Sequence, residues 1–539
     1  METELRKNQI LEAEITGFTS QGFGVCRPGG RAVFVPRALP GEVWRVRIVK
    51  VTRSAVWGRG EVMLRPSPMR TEPACPVFGQ CGGCAAMHMD YALELEFKLG
   101  RVNDALRRIG GLDLRAERIV GAESLEGYRN KAIYNFAPGP VCGFYSPRSH
   151  RVVETDRCLL QPECFDRAAR ALLAWMEEHA VPAYDEATGR GLIRHLFLRR
   201  TSTHFAACIV AAGHVDASAA DALRDACPEL TGVLVCVNRS AGNTVLSGPI
   251  RLLWGRDAVE ETVCGARLTL SPLTFFQVNT AQTEALYGLV GAYAQPAGKT
   301  VLDLYCGAGA IGLAAARDAA MLIGSDIVPS AVENARANAR RNGVANARYL
   351  CGDAKDVAIR LAEEGLRPHV IITDPPRKGM DEQVLQAIAA MAPERLVYVS
   401  CDPGSLARDL KRLTDLGFRP DHCTAVDTFP RTHHVETVVQ LSKGEIQSTK
   451  IRVDFSLEDM DMSGFQKGAT YGEIKAYVKE HTGLTVSSLY IAQVKQKLGI
   501  IERENYNKPK SENAKQPQCP PEKEAAIVEA LMHFGMVMA

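Results

Sequence analysis

The chain falls into segments that differ in their pattern of hydrophobic and polar residues. Residues 1–66 contain short alternations such as EAEITGF, GFGVCR and EVWRVRIVKV, separated by glycine and proline. Alternation with a period of two and closely spaced turn residues predict a small N-terminal β-barrel. In residues 67–264, strand-like and helix-like patterns follow one another, which predicts a central mixed α/β domain.

From Lys299 onwards, apolar strands alternate with helical patterns. VLDLY, MLIGSD, HVIITD and RLVYVS are nearly continuous apolar runs, and a turn follows each of them. Such runs are typical of a parallel sheet whose two faces are covered by helices. We therefore predict a Rossmann-like α/β domain over residues 265–445.

Residues 446–539 are predicted to form a small helical module. TYGEIKAYVKEHTG contains a capping box, Thr470 with Glu473, and a stop at Gly483, and SSLYIAQVKQKLG predicts a second helix that ends at Gly499. Two short helices joined by a tight turn are similar to a helix-turn-helix. An extended connector and a last helix, EAAIVEALMHFGMV, follow. Both a module that positions RNA or a partner and a purely structural appendage fit this extension.

Composition narrows the class of protein. At 539 residues the chain has room for about three or four domains, and 46% hydrophobic with 23% charged residues is typical of a folded protein. The N-terminus lacks the apolar core of a signal peptide, and no apolar run is long enough to span a bilayer. We expect a cytoplasmic protein that contacts no membrane and is a monomer.

A net charge of +2 excludes a uniformly basic coat, so a nucleic-acid contact must come from a local patch. The predicted barrel carries such a patch, with nine arginines and lysines between Arg27 and Arg65 and several interleaved aromatic residues. A solvated basic face would explain this pattern, but basic and aromatic residues together favour RNA contact. The strands YRNKAIYNF and GLIRHLFLRR are also basic, and both a polyanion contact and salt-bridged sheet edges fit them.

The 16 cysteines are expected to be reduced, because nothing in the sequence indicates secretion. Three of them lie in a glycine-rich loop with the spacing C-x5-C-x2-C, and these are Cys75, Cys81 and Cys84. Such a loop favours metal ligands over unliganded cysteines. Cys158 is the first choice for a fourth ligand, although the spacing also allows Cys142 and Cys164. Four thiolates fit either zinc or a [4Fe–4S] cluster.

A glycine turn follows the strand VLDLY. Gly307, Gly309 and Gly312 have the spacing G-x-G-x-x-G and open a helix, and the next strand ends at Asp326. Glycines in this position let a cofactor approach the backbone, and a carboxylate about twenty residues further on can bind ribose hydroxyls. The pattern predicts an adenosine cofactor and leaves nicotinamide dinucleotides and S-adenosylmethionine open.

Two later strands end in reactive groups. HVIITD runs into Asp374-Pro375-Pro376-Arg377, and RLVYVS runs into Cys401. Both ends are expected at the carboxyl edge of the sheet, where ligands bind. An aromatic residue, which amino-methylating enzymes usually carry after the prolines, is absent, and a cysteine is present instead.

A cysteine assists methyl transfer when the target is an unactivated carbon. Addition of a thiolate to C6 of uracil makes C5 nucleophilic, and a base must then remove the C5 proton. FPRTHHVETVVQL supplies Glu436 directly before an apolar strand, with His433 and His434 beside it. Glu436 is the first choice of base, and the alternative is a solvated glutamate at a strand edge.

The motifs SPLTFFQVN, VLDLYCGAGAIGL, TDPPRKG, YVSCDPGSLARDL and FPRTHHVETV occur in this order. Over about residues 5–441 the chain resembles the RNA 5-methyluridine methyltransferases, and its barrel and cysteine loop are similar to the ribosomal RNA branch. The resemblance implies a class I methyltransferase domain and an OB-like TRAM barrel. It also implies a nucleophile, Cys401, a base, Glu436, and residues around S-adenosylmethionine: Gln277, Tyr305, Asp326 and Asp374. A [4Fe–4S] cluster is implied on Cys75, Cys81, Cys84 and Cys158.

The predicted activity is therefore S-adenosylmethionine-dependent methylation of uridine C5 in RNA, with 23S ribosomal RNA as the expected substrate and a covalent Cys–C6 adduct as the intermediate. Three alternatives stay open. An RNA 5-methylcytidine methyltransferase uses the same thiol addition. An iron–sulfur redox enzyme with a dinucleotide site and a non-catalytic RNA-binding scaffold belong to different classes of protein.

Overall fold

The computed structural model describes residues 5–272, 274–443, 471–498, 519–534 and 536. The chain divides into two compact units, Met1–Ile446 and Gln447–Ala539. Within the described residues, every helix is too short or too polar to cross a membrane.

Six N-terminal strands form a curled sheet, which confirms the predicted barrel. They are β1 (Ile10–Glu14), β2 (Gly17–Phe18), β3 (Gly24–Cys26), β4 (Val33–Val35), β5 (Val43–Val51) and β6 (Val56–Arg65). Their order is β1-β5-β6-β4-β3-β2. Alternate residues such as Val46 and Ile48 are fully buried inside, as a period-two pattern requires.

The basic patch of the barrel is partly neutralised by acids of the same sheet. Arg45, Arg47 and Arg65 each form an exposed ion pair with a glutamate. Exposed pairs of this kind contribute little stability. Their arginines therefore remain available to a polyanion that competes for them.

The cysteine loop, residues 75–84, follows the barrel and precedes α1 (Tyr91–Ala105). Asp90 caps α1 by accepting a hydrogen bond from the amide of Ala92, and a π-helical turn, Leu106–Gly110, ends at Gly111 with φ of 62°. The sequence predicts this helix. Its buried face nevertheless carries charged side chains as well as apolar ones, which the sequence pattern does not indicate.

A seven-stranded sheet with two covering helices forms the central part of the first unit. After a two-residue strand, β7 (Ile119–Val120), its elements are β8 (Lys131–Ala137), β9 (Val141–Tyr145), β10 (Val152–Glu154), α2 (Glu163–Glu178), β11 (Ile193–Arg200), β12 (Phe205–Ala211), α3 (Ser218–Ala226), β13 (Gly232–Val237) and β14 (Ile250–Gly255). The strand order is β10-β9-β8-β11-β12-β13-β14. Lys131 of β8 pairs directly with Arg199 of β11, so two cations lie side by side on these strands.

The largest sheet has eight strands and the predicted Rossmann-like topology. A hairpin, β15 (Val259–Val263) and β16 (Ala266–Leu270), and α4 (Thr280–Ala294) lead into it. The remaining elements are β17 (Thr300–Leu304), α5 (Ala310–Ala315), β18 (Met321–Asp326), α6 (Pro329–Arg341), β19 (Ala347–Cys351), α7 (Ala354–Glu363), β20 (Val370–Thr373), α8 (Glu382–Met391), β21 (Arg395–Ser400), α9 (Pro403–Asp415), β22 (Phe418–Val426) and β23 (Glu436–Lys443).

The order of this sheet is β19-β18-β17-β20-β21-β23-β22-β7. Strands β17 to β21 are parallel to their neighbours, and β23 inserts antiparallel between β21 and β22. β7 joins its far edge, and α1 packs against α9 on one face. Chain segments that come before and after the seven-stranded sheet in sequence therefore contribute to the same layer.

The second unit contains three described helices, α10 (Tyr471–Thr482), α11 (Ser488–Lys497) and α12 (Pro521–His533). They bury a shared core that includes Ile474, Ile491 and Ile527. Gly483 follows α10 with φ of 70°, as predicted. Residues Thr470 and Gly499 lie outside the described residues, and α12 begins within the predicted connector.

The third glycine of the turn after β17 is required by packing. A Cβ atom on Gly312 would lie 2.9 Å from Asp303 Oδ2 and 3.1 Å from Leu322 Cδ1, because α5 packs closely on β17 and β18. Gly288 in α4 is a matched contrast, because a Cβ there would meet no atom within 4 Å.

We predict that Gly312→Ala lowers the free energy of unfolding by about 1–3 kcal/mol, because the added methyl group overpacks this contact. Gly288→Ala should raise it by about 0.5–1 kcal/mol through helix propensity. Denaturant titration of both variants measures the difference. Equal effects of the two substitutions would contradict the packing role of Gly312.

Candidate active site

Four of the predicted site residues follow neighbouring strands of the eight-stranded sheet. Leu304 of β17 pairs with Ser325 of β18 and with Thr373 of β20, and Thr373 pairs with Tyr398 of β21. The carboxyl ends of these strands therefore form one edge. The residues on this edge are Tyr305, Asp326, Asp374 and Cys401.

The antiparallel strand β23 brings Glu436 to the same edge. Ser400 pairs with Thr437, so Cys401, the next residue along β21, faces Glu436, the residue before Thr437. The register places a thiol and a carboxyl group opposite each other, although they are 35 residues apart along the chain. Strand pairing therefore assembles the predicted nucleophile and base.

Cys401 lies in the short turn between a strand and a helix. β21 ends at Ser400 and α9 begins at Pro403, and Asp402 caps the helix by accepting a hydrogen bond from the amide of Ser405 at 2.8 Å. The thiol is half-buried. This turn places the Cys401 thiol at the sheet edge, next to the N-terminus of α9.

Negative neighbours and burial keep the thiol protonated. Burial raises the pKa of Cys401 to about 11, with further increases from Glu436 and Asp374 and an opposing effect of Arg377. Burial and the charge of Asp374 also raise the pKa of Glu436, and burial raises the pKa of Asp374. The site thus concentrates acidic groups that a bound cation or an incoming proton would stabilise.

The carboxyl group of Glu436 is buried, with 2% of the residue exposed, and its Oε2 atom has no hydrogen-bond partner among the described residues. Buried carboxylate oxygens are normally hydrogen-bonded. A buried oxygen without a partner is therefore available to a proton of a bound substrate. The rings of His433 and His434, which precede Glu436 along the chain, are tilted against each other with centroids 4.2 Å apart, and burial lowers the pKa of His434 to about 3.

The glycine turn and Asp326 form the other half of the edge. Asp326 Oδ2 accepts a hydrogen bond from the amide of Gly307 at 3.0 Å, and Oδ1 accepts one from Val328 at 2.8 Å. A Cβ on Gly307 would meet no atom within 4 Å, so the turn leaves open space above its backbone. Tyr305 has φ of 64°, a strained conformation for a residue with a Cβ, which is found mainly where surroundings fix it.

Gln277 lies in the segment before α4 and is buried. Its carbonyl oxygen accepts a hydrogen bond from Asn130 Nδ2 at 2.8 Å, which joins this segment to the strand region of the central sheet. Phe275, two residues earlier, is 66% exposed. An exposed aromatic ring offers a stacking surface, and Lys131 Nζ lies 5.8 Å from its centroid.

Sequence reasoning missed two groups near the site. Tyr287 of α4 is buried, and burial together with Asp374 raises the pKa of its hydroxyl well above the usual range. Asp303 is buried within β17; burial raises its pKa to about 8, and its Oδ1 atom has no partner among the described residues. An acid inside the apolar run VLDLY was a visible signal for Asp303, whereas no pattern distinguishes Tyr287.

The cysteine loop forms a separate site in the first unit. The three loop cysteines and one distant cysteine line a cavity of about 250 Å³, and these are Cys75, Cys81, Cys84 and Cys158. All four are free thiols. Burial raises the pKa of Cys84 to about 12 and that of Cys158 to about 11, and neighbouring thiols contribute to both shifts.

Cys142 and Cys164, which the spacing also allowed as ligands, are buried elsewhere and do not line this cavity. Arg200 donates to the Cys164 sulfur at 3.3 Å. Across the described part of the chain, no three His, Cys, Asp or Glu side chains converge on a position for a single metal ion. The four thiols are therefore grouped around a cavity and not around one point.

Comparison with protein families agrees with this geometry. A tRNA (uracil-5-)-methyltransferase model matches residues 262–444, and a TRAM domain model matches residues 4–62. The chain is 37% identical over 447 residues to an uncharacterized RNA methyltransferase of Halalkalibacterium halodurans, which covers 81% of this chain and 98% of the relative. The chain belongs to the RNA (uracil-5-)-methyltransferase family.

Another relative in this family, an uncharacterized RNA methyltransferase of Clostridium tetani, is 36% identical over 447 residues, covering 81% of this chain and 97% of the relative. Among solved structures, the tRNA (uracil-54, C5)-methyltransferase of Pyrococcus abyssi in complex with S-adenosyl-L-homocysteine is similar, with a TM-score of 0.68 and 26% identity. The match covers 80% of this chain and 99% of that chain. Membership of this family favours an enzyme over the redox and scaffold alternatives.

The raised pKa of Cys401 predicts slow alkylation at neutral pH. Because only the thiolate reacts, the rate with iodoacetamide should rise about tenfold per pH unit from pH 7 towards pH 11. Glu436→Gln removes a negative neighbour, lowers this pKa and should speed alkylation at pH 8. Peptide mass spectrometry follows the reaction, with exposed Cys351 as the internal reference. A rate that levels off below pH 8 would contradict the electrostatic account.

Proposed function

We propose that this enzyme transfers a methyl group from S-adenosylmethionine to C5 of a uridine in RNA through a covalent bond between Cys401 and C6. The observation that carries the proposal is the register that sets Cys401 opposite Glu436 at the cofactor edge of the sheet. A nucleophile and a base on the same edge are what methylation of an unactivated carbon requires.

The residues on this edge fit S-adenosylmethionine. The open space above Gly307 admits a ligand close to the backbone, and Asp326 has free lone pairs for ribose hydroxyls. Bound S-adenosylmethionine supplies an electrophilic methyl group on a positively charged sulfur. The acidic groups around Cys401 suit that charge, and the residues proposed to hold the cofactor are Gln277, Tyr305, Asp326 and Asp374.

Cys401 activates the pyrimidine in this scheme. Its thiolate forms a bond to C6, the C5–C6 double bond is lost, and negative charge moves onto C5 and O4. C5 would then take the methyl group as the S–CH3 bond breaks, with S-adenosylhomocysteine as the leaving group, and C5 would still carry its proton. Burial raises the pKa of the Cys401 thiol, so its proton would pass to water or to a neighbouring carboxylate as the C6–S bond forms.

Glu436 completes the reaction by removing the C5 proton. The electron pair of the C5–H bond restores the double bond, the C6–S bond breaks, and the Cys401 thiolate leaves. The buried Oε2 atom without a protein partner supports this role, because it can receive a proton without giving up a structural hydrogen bond. A raised pKa also strengthens Glu436 as a base.

Ribosomal RNA is the proposed substrate class. The presence of a TRAM domain together with the cysteine loop, which the sequence resemblance associates with the ribosomal RNA branch, supports it. Transfer RNA is a second candidate, because the Pyrococcus abyssi structure is that of a tRNA methyltransferase. Mapping 5-methyluridine in both RNAs of a deletion strain distinguishes them. Loss from ribosomal RNA is expected, and loss only from transfer RNA would contradict the proposal.

The catalytic roles predict distinct variant phenotypes. With [5-³H]uridine RNA and S-adenosylmethionine, the wild type should release tritium, and Cys401→Ala should lose release by at least about a thousandfold because no addition occurs. Glu436→Gln should accumulate RNA attached to protein on a denaturing gel. Tritium release from labelled cytidine instead would favour the 5-methylcytidine alternative. Rapid methylation by Glu436→Gln without an adduct would refute the base assignment.

The cavity lined by Cys75, Cys81, Cys84 and Cys158 is proposed to hold a [4Fe–4S] cluster. Four free thiols around a 250 Å³ space are the ligand set that a multi-iron group takes. Bound iron would also favour the thiolate form of Cys84, whose pKa is raised chiefly by burial and further by neighbouring thiols. The cluster is expected to order the loop.

Anaerobic purification tests this assignment through metal content. The wild type should contain about four iron and four sulfide per chain. Cys84→Ser should lose most of both, whereas the matched variant Cys142→Ser, outside the cavity, should retain them. Stoichiometric zinc in the anaerobic wild type, or equal iron loss in both variants, would contradict the proposal.

A further inference from the structure

The loop between β22 and β23, residues 427–435, rests on a buried ion cluster. The side chains of Glu94, Lys98 and Asp427 have no exposed surface. Lys98 Nζ donates to Glu94 Oε1 and to Asp427 Oδ1, each at 2.6 Å. Its third hydrogen bond goes to the carbonyl oxygen of Phe429 at 3.1 Å. The ammonium group therefore uses all three of its hydrogens within the protein.

Further contacts extend this ion cluster along the loop. Tyr91 donates to Asp427 Oδ2 at 2.9 Å, and the amide of Arg431 donates to Glu94 Oε1 at 2.7 Å. The carbonyl oxygen of Arg431 in turn accepts hydrogen bonds from the amides of Ala85 and Ala86, at 2.9 and 3.0 Å. These alanines follow Cys84, so the loop is also tied to the cysteine loop.

The ion cluster occupies one face of α1. Tyr91, Glu94, Lys98 and Arg101 have the spacing of a single helical stripe, and Arg101 donates to the carbonyl oxygen of His433. Apolar side chains would fill such a face at lower desolvation cost, and buried charges are tolerated only when fully paired. Arg431 has φ of 68°, a strained conformation that its surroundings must maintain. The stripe therefore specifies the path of the loop.

This path determines where the catalytic carboxylate lies. The loop begins directly after Val426 and ends directly before Glu436, and these two residues pair in the register of β22 and β23. Asp427 is thus one residue from the position opposite Glu436. A displacement of Asp427 would therefore shift the β22–β23 hairpin and, with it, the carboxyl group of Glu436.

We propose that Glu94, Lys98 and Asp427 form a positioning cluster that fixes the carboxylate of Glu436 for removal of the C5 proton. This inference rests on the base role proposed above for Glu436. Glu436 contacts the substrate in this scheme. Glu94, Lys98 and Asp427 act only by holding Glu436 in position. Loss of the ion cluster should slow the proton-transfer step more than RNA binding.

The test compares full-length enzymes in an assay with methyl-labelled S-adenosylmethionine and total RNA from a deletion strain. Asp427→Asn keeps the shape of the side chain and removes its charge. It should accumulate labelled RNA–protein adduct to at least about ten times the wild-type level, with kcat lowered about tenfold and KM changed less than about twofold. Lys98→Met, assayed in parallel with its melting temperature, should behave similarly if it folds.

Glu42→Gln is the matched control, because Glu42 is another fully buried acid, paired with Arg70 in the barrel. It undergoes the same chemical change and should not accumulate adduct. Adduct in Glu436→Gln together with equal, low levels in Asp427→Asn and Glu42→Gln would overturn the positioning role. If Glu436→Gln itself forms no adduct, the base assignment fails and the positioning role with it.

Discussion

The insertion of β23 antiparallel between β21 and β22 is the constraint on which the site depends. In a purely parallel sheet the strand after β22 would present its carboxyl end at this edge, and Glu436, at the strand's beginning, would lie at the opposite edge. Reversal of this one strand brings a residue from a strand start beside residues from strand ends. The hydrogen-bonded register then fixes the position of Glu436 relative to Cys401.

A group of buried acids near this edge is its second physical feature. Asp303, Asp374 and Glu436 are three carboxyl groups whose pKa values are raised, in each case chiefly by burial. Such a group of acids is unfavourable in isolation and becomes favourable when a cationic ligand or a transferable proton arrives. Burial therefore leaves the ionised form of these acids poorly stabilised in the free site. This fits a site that receives a positively charged methyl donor and a base that must accept a proton.

The loop that leads to Glu436 is held by a different electrostatic arrangement, a set of fully paired buried charges. Beneath the β22–β23 loop, Glu94, Lys98 and Asp427 are fully paired, and removal of one partner from such a group typically costs about 3–5 kcal/mol. Charges whose hydrogen bonds are all made specify a unique geometry. The Oε2 atom of Glu436, which has no partner among the described residues, can instead accept a proton in the reaction. The buried ion cluster therefore supports the loop, whereas Glu436 at the end of the loop is left for the reaction.

Local patterns in the sequence predicted the features that depend on neighbouring residues. The glycine turn, the acids at strand ends and the cysteine before Pro403 all follow from strand and helix periodicity, and the sheet order agrees with them. Features assembled across the chain could not be predicted this way. Lys98 and Asp427 meet across more than three hundred residues, and although the sequence favoured Cys158, spacing alone left Cys142 and Cys164 open until the fold placed Cys158 in the cavity.

The central proposal is that the sulfur of Cys401 bonds to C6 of the pyrimidine ring. Mass spectrometry of Glu436→Gln, digested with trypsin and nuclease after reaction with RNA, tests this directly. The tryptic peptide from Leu396 to Arg408 contains one cysteine, Cys401. The account predicts that this peptide carries a methylated uridine nucleotide. A nucleotide attached to any other cysteine, or an unmodified peptide despite methylated RNA, would contradict it.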